Sequence, residues 1–234
     1  MRLLNNLQAI SGVIMYKLIK VNFPFFLPYI LFIIIGGIVQ LFYTKIELFS
    51  FINGNYHSVA DSFFKYVTHI GDGLFYIATI ILLALVSYRK AAIALSCYAL
   101  SSGIAQLLKK VVFTDSLRPK AFFEKSSYAI HIVEGVTLHS YNSFPSGHAT
   151  SAFSLFCLLS ILTRNKRLGY VWFCLALLSS YSRVYLSQHF FGDIYFGSFI
   201  GVVSTVAIYY WLDNFFRRNA KQWHSKGLLP SAHK

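Results

Sequence analysis

The segment Ser182-Arg183-Val184-Tyr185-Leu186-Ser187-Gln188-His189-Phe190-Phe191-Gly192-Asp193 places an arginine, a histidine and an aspartate at spacings suited to phosphate chemistry. His189 and Asp193 are four residues apart, so at a helix start they share one face and can touch. A carboxylate that accepts the Nδ1 proton fixes the imidazole tautomer and leaves Nε2 free to attack. Taken alone, the pair also fits an interfacial histidine beside a helix-capping aspartate. Upstream lie Phe144-Pro145-Ser146-Gly147-His148 and Leu117-Arg118-Pro119. Ser146 is placed to cap the apolar helical run that follows, whose free N–H groups favour an anion. Gly147 removes a side chain that would block close approach, and His148 is placed to protonate a leaving oxygen. Arg118 and Arg183 are guanidinium candidates for bidentate phosphate contacts, with Lys109 and Lys110 nearby. Each cation alone is equally a snorkelling or solvated residue. Their convergence is what a site requires.

These residues sit in a chain built for lipid. Of 234 residues, 56% are hydrophobic, 18% aromatic and 12% charged. Soluble domains carry about twice that charged fraction. The composition implies a single all-α integral membrane domain spanning 1–234. The formal charge of +13 does not indicate nucleic acid, because the basic residues punctuate apolar runs without forming a basic face. Cys97, Cys157 and Cys174 fall inside apolar runs and read as small core residues.

Six apolar segments are expected to span: Phe25–Phe42, Leu74–Val86, Ala91–Leu108, Ala149–Leu162, Leu168–Leu186 and Ile194–Leu212. The second and fourth fall short of the ~20 residues a crossing needs and call for extension by weakly polar flanks. With both termini inside, the Arg89-Lys90 and Arg164–Arg167 turns and the basic tail face the cytoplasm, as the positive-inside rule expects. The candidate site residues then share the outer, periplasmic face. Residues 1–21 read as a retained interfacial segment, with Leu3, Leu7, Ile10 and Ile14 on one helical face. Residues 213–234 read as a cytoplasmic tail, and Phe49–Ile70 as an outer, membrane-hugging segment.

The three motifs together resemble those of the type 2 phosphatidic acid phosphatase superfamily, which also includes bacterial acid phosphatases and vanadium haloperoxidases. That family shows Lys, a spacer and Arg-Pro; then Pro-Ser-Gly-His; then Ser-Arg, five residues, His, three residues and Asp. The second and third match without exception, so the motifs cover about Lys109 to Asp193, and the six-span layout extends the likeness to most of the chain. The first departs. The family usually leaves six residues between lysine and arginine, whereas Lys110 leaves seven and Lys109 eight. Lys110 is the first choice for that role and Lys109 the second.

The resemblance implies roles. His189 is the nucleophile that forms a phosphohistidine, Asp193 orients it, and His148 is acid and then base. Lys110, Arg118, Ser146, Gly147 and Arg183 bind the phosphate oxygens, and the chemistry needs no metal or other cofactor. The implied protein is a lipid phosphatase of the bacterial inner membrane. Its substrate would be a lipid phosphate or diphosphate, of lipid A or undecaprenyl type, with phosphatidic acid and phosphatidylglycerol phosphate as further choices. Competing readings are a haloperoxidase, a zinc site of His139, His148 and His189, and a transporter or scaffold that binds lipid phosphate without cleaving it.

Overall fold

A computed structural model describes residues 15–126, 128–219 and 221–229. Leu3, Leu7, Ile10 and Ile14 of the expected interfacial face lie outside them. All regular structure among the described residues is helical: α1 Phe23–Phe42, α2 Lys45–Gly54, α3 Ser58–Val67, α4 Gly73–Val86, α5 Tyr88–Leu107, α6 Pro119–Phe123, α7 Gly147–Leu162, α8 Gly169–Tyr185 and α9 Phe191–Arg218. A helical stretch at 15–21 precedes α1. Each of the six apolar segments forms one helix.

Among the described residues three helices are long and apolar enough to cross a bilayer: α1, α5 continued to Val112, and α9. A fourth appears if the pair Ser58–Gly71 and Gly73–Val86, bent by 51°, counts as one span. The expected span Leu168–Leu186 falls at the short end of what a crossing needs. It forms α8, only 17 residues long, whose last turns carry Ser179, Ser180, Ser182 and Arg183. The α1 surface explains the apolar composition, since Ile30, Leu31, Ile34, Ile35 and Leu41 stay exposed for lipid contact.

Lipid offers little hydrophobic drive for helices to associate, so close packing and interhelical hydrogen bonds must hold them. The inner helix is α7, nearly all of whose residues from Ala149 onward are buried. One side packs Phe153 and Phe156 against Phe25, Phe26 and Tyr29 of α1, Phe173 of α8 and Val202 of α9. Another packs Leu155 and Leu158 against Tyr76 of α4, Ile93 and Cys97 of α5 and Phe216 of α9. The α7–α9 seam is the tightest. A Cβ on Gly197 would lie 2.6 Å from the Ser146 carbonyl oxygen, and one on Gly201 would lie 2.5 Å from that of Thr150. Such small-residue spacing lets two backbones approach. Polar bonds lace the same seam, with Ser154 Oγ 2.7 Å from Thr205 Oγ1 and 3.1 Å from the Tyr76 hydroxyl.

Two expected boundaries shift. The α9 helix continues six residues past the expected tail boundary at 213, because Asp213 pairs with Arg89 and with Arg217 one turn on and stabilises that last stretch. Beyond it, the chain folds back to satisfy open groups at the α4–α5 junction. The N–H groups of Leu228 and Leu229 donate to the Ala84 and Leu85 carbonyls, and Tyr88 N–H donates to Lys226 O. Within Phe49–Ile70 the chain forms the end of α2, all of α3 and a following turn, and Val59, Phe63 and Tyr66 on α3 are exposed.

Gly201→Ala should lower the thermal midpoint in detergent, by an overpacking cost of about 1–3 kcal/mol. Gly103→Ala, where nothing lies within 4 Å of the added methyl, should leave it level or raise it. Equal midpoints for the two variants would contradict the seam's role.

Candidate active site

The N-termini of α7 and α9 meet at one end of the bundle. Ser146 N–H donates to the Asp193 carbonyl at 3.0 Å, tying the start of α7 to the first turn of α9. The C-terminus of α8 enters the same place through a tight turn. The N–H groups of Gln188 and His189 both donate to Arg183 O, at 2.8 and 3.0 Å, and Ser187 takes a φ of +56°. That turn sets His189 next to the start of α9.

His189 Nδ1 lies 3.2 Å from Asp193 Oδ2. The same carboxylate oxygen accepts from Phe190 N–H at 3.0 Å and from the Ser143 hydroxyl at 2.5 Å. With the carboxylate pinned by two further donors, it can hold only one orientation, and the imidazole is oriented with it. Burial, reinforced by Arg118, Lys109 and Arg183, pushes the His189 imidazole well below its usual value. The ring is therefore neutral at physiological pH, with an unprotonated nitrogen to offer.

A cavity of about 310 Å³ opens in front of this pair, lined by Lys109, Arg118, Gly147, His148, Arg183 and His189, among others. The two arginines are held by groups that do not cancel their charge. Arg118 Nε donates to Tyr141 O at 3.0 Å and its Nη1 to Gln188 O and Oε1, both at 3.3 Å. Arg183 Nη1 donates to Thr68 Oγ1 at 2.8 Å, while its Nε is buried without a partner among the described residues. A buried donor left open beside a cavity of positive charge suits an anion with several oxygens. The start of α7 adds to this. Gly147 and His148 sit at its first positions, where N–H groups have no intrahelical partner.

Two sequence-based placements change. Lys110, the first choice for the first motif, is exposed and does not line this cavity. Lys109 does, 92% buried, with its ammonium 3.8 Å from where a Cβ on Gly147 would sit. The reason is a π-helical turn over Leu108–Val112, closed by Phe113 N–H donating to Leu108 O at 2.8 Å. Such a turn takes up an extra residue without ending the helix, and the loop before Arg118 takes up the rest. Ser146, expected to offer its hydroxyl to phosphate, is fully buried outside the cavity lining. Its Oγ caps α7 by accepting from Ala149 N–H at 3.4 Å.

Other contributors carry no motif signal. Thr68, Gln188 and Ser143 hold Arg183, Arg118 and Asp193 respectively, and Asp72, Tyr98 and His139 share the cavity wall. Gln188 and Ser143 lie in or beside a motif, and His139 enters only through the zinc reading. Among the described residues no group of three or more His, Cys, Asp or Glu is arranged to hold a metal ion, so His139, His148 and His189 do not form a zinc set.

Residues 90–217, more than half of the chain, match the PAP2 superfamily. The chain belongs to the PAP2 superfamily. Undecaprenyl-diphosphatase BcrC of Bacillus subtilis (strain 168) is 28% identical over 156 residues, which cover 63% of this chain and 74% of BcrC. The crystal structure of Aquifex aeolicus LpxE superposes with a TM-score of 0.61 at 26% identity, covering 70% of this chain and 93% of that one. A PAP2-type phosphatidylglycerolphosphate phosphatase from Bacillus subtilis shares the fold, with a TM-score of 0.53 at 20% identity over 89% of this chain and 99% of its own. A membrane-type PAP2 phosphatase is thus the class into which this helical bundle falls.

Thr68 is the support that no motif announces, so Thr68→Val should raise KM about fivefold through the ~1 kcal/mol hydrogen bond lost from Arg183. Thr68→Ser should restore it. A KM indifferent to both changes would remove Thr68 from the site.

Proposed function

We propose that this PAP2 protein is a metal-independent phosphatase of a lipid phosphate or diphosphate, working through a phosphohistidine on His189. The observation that carries the reading is the cavity itself. A neutral, oriented imidazole and a second histidine face a space whose only strong charges besides Asp72 are the cations Lys109, Arg118 and Arg183.

In the first step His189 Nε2 forms a bond to phosphorus as the bond to the leaving oxygen breaks. His148, protonated beside the bound phosphate dianion that offsets the surrounding cations, gives that oxygen its proton. Charge gathers on the equatorial oxygens, where Lys109, Arg118, Arg183 and the N–H groups at the start of α7 are already aimed. In the second step His148 takes a proton from water, whose oxygen attacks phosphorus. The N–P bond breaks, inorganic phosphate leaves, and His189 returns to its neutral form. Asp193 balances the positive imidazole while the covalent intermediate lasts.

An outer-face site and six crossings are part of the same proposal. The site lies at the N-terminal end of α9, while Arg89, Lys90, Arg217 and Lys221 gather around Asp213 at its other end. Asp193 and Arg217 are 24 residues apart on that helix, about 36 Å. Dense basic charge at one end supports a cytoplasmic placement for it and an outer one for the site. Helices α7 and α8 are short, yet α7 is enclosed by protein and contacts little lipid. The bacterial cytoplasmic membrane is the proposed location, with lipid A or an undecaprenyl carrier as the substrate type. BcrC, named for undecaprenyl diphosphate, supports the second.

The detergent-purified protein in EDTA should release phosphate from a panel of lipid mono- and diphosphates. His189→Ala should abolish release while leaving the thermal midpoint near wild type. Silence of the folded wild type across the panel would favour the alternative, a lipid-phosphate binding or transport protein. Asp193→Asn should lower kcat by about 10³–10⁴-fold, the scale seen when such an orienting carboxylate is lost. Unchanged kinetics in that variant would break the pair apart.

A further inference from the structure

The exposed lysine that does not enter the catalytic cavity lines another one. A second cavity, of about 440 Å³, adjoins the first, and Gln106, Lys109, Arg118 and His139 line both. Lys110 lines only the second. The far wall is the loop from Ser140 to Asn142, held in place by Arg118. Arg118 N–H donates to Ser140 O at 2.9 Å and its Nε to Tyr141 O at 3.0 Å, and Ser143 N–H donates to Ser116 O at 3.0 Å. Asn142 turns this loop with a φ of +57°. Lys110 makes no ion pair with any described carboxylate.

We propose that the second cavity seats the lipid-proximal phosphate of a diphosphate ester, with Lys110 as its own cation and with Lys109 and Arg118 shared between the two phosphates. The inference rests on the phosphatase reading of the first cavity and deepens it. In a diphosphate ester the two phosphorus atoms share one bridging oxygen, so they must occupy adjacent positions. The terminal phosphate has to reach His189 in the first cavity. Its neighbour then falls where the two cavities meet, which is where Lys109 and Arg118 stand. The leaving group in this reaction is the proximal phosphate oxygen, and a cation beside it stabilises the charge it takes on. A monophosphate ester would leave Lys110 without a partner in the complex.

The apolar surface around this cavity indicates where the hydrocarbon runs. Leu107, Val111 and Val112 flank the lysine pair on the end of α5, all more than half exposed, and Tyr141 stands exposed on the loop that forms the far wall. A chain attached to the proximal phosphate can leave across this apolar face without crossing the bundle. A soluble diphosphate has no use for it. The consecutive lysines therefore divide the work, because the π-helical turn that carries both leaves one buried toward His189 and the other beside the second cavity.

The test compares farnesyl diphosphate with farnesyl monophosphate in detergent micelles, for wild type, Lys110→Met and Lys110→Arg. The Met variant should lose about tenfold in kcat/KM on the diphosphate, the scale of one charge-assisted hydrogen bond. On the monophosphate its loss should stay well below that, and the Arg variant should recover most of the diphosphate activity. Equal losses on both esters, or none on either, would overturn the subsite. ADP hydrolysed as fast as farnesyl diphosphate would overturn the lipid assignment. Calorimetric binding of pyrophosphate against orthophosphate reads the subsite without turnover. Wild type should prefer pyrophosphate and Lys110→Met should lose that preference, while no preference in wild type would refute the proposal. A preference with no turnover of either ester would instead count against the phosphatase reading alone.

Discussion

The close approach of α7 and α9 is the constraint on which the rest of the molecule depends. Gly197 and Gly201 let the two backbones approach to a distance that a single methyl would prevent. That contact brings the N-terminus of α7, with Gly147 and His148, to the N-terminus of α9, with Asp193. It also explains the polar seam, because hydroxyls buried between helices need partners and Ser154, Thr205 and Tyr76 supply them to one another. Inside a bilayer such packing replaces the hydrophobic drive that assembles a soluble core.

The seam accounts for one pair of site elements, and burial of positive charge organises the others. Lys109, Arg118 and Arg183 are each about nine-tenths buried. The partners of the two arginines are neutral oxygens of Thr68, Tyr141 and Gln188, which orient the guanidinium groups while leaving their charge available. Asp193, the carboxylate beside His189, is itself occupied by three donors. A cluster of this kind costs stability when empty of anion and binds one strongly for the same reason. The bend between α3 and α4 belongs to this arrangement, since it delivers Thr68 to Arg183.

The sequence was most readable where chemistry demands particular residue types at short range. His189 and Asp193, four residues apart, could be paired on paper, although His189 stands just ahead of the α9 N-cap and the turn after α8 brings it to Asp193. The six apolar runs each became a helix for an equally local reason. Spacing across a loop was less readable. Counting residues favoured Lys110, but a count assumes regular helix up to Phe113, and the π-helical turn breaks that assumption. Ser146 shows the opposite case. Its type fitted both a cap and a phosphate ligand, and burial against α9 left it as the cap.

From its own residue types and periodicity the chain determined a helical membrane protein, the histidine–aspartate pair and a set of cations suited to phosphate. These are short-range properties, governed by side-chain chemistry and the rise and turn of a helix. Only the tertiary structure decided which lysine enters the cavity in front of His189, that Thr68 and Gln188 hold the arginines, and that a second cavity lies beside the first. Those outcomes depend on how helices far apart in sequence pack. Packing answers to glycines, bends and buried donors from several helices at once, and no local pattern encodes their sum.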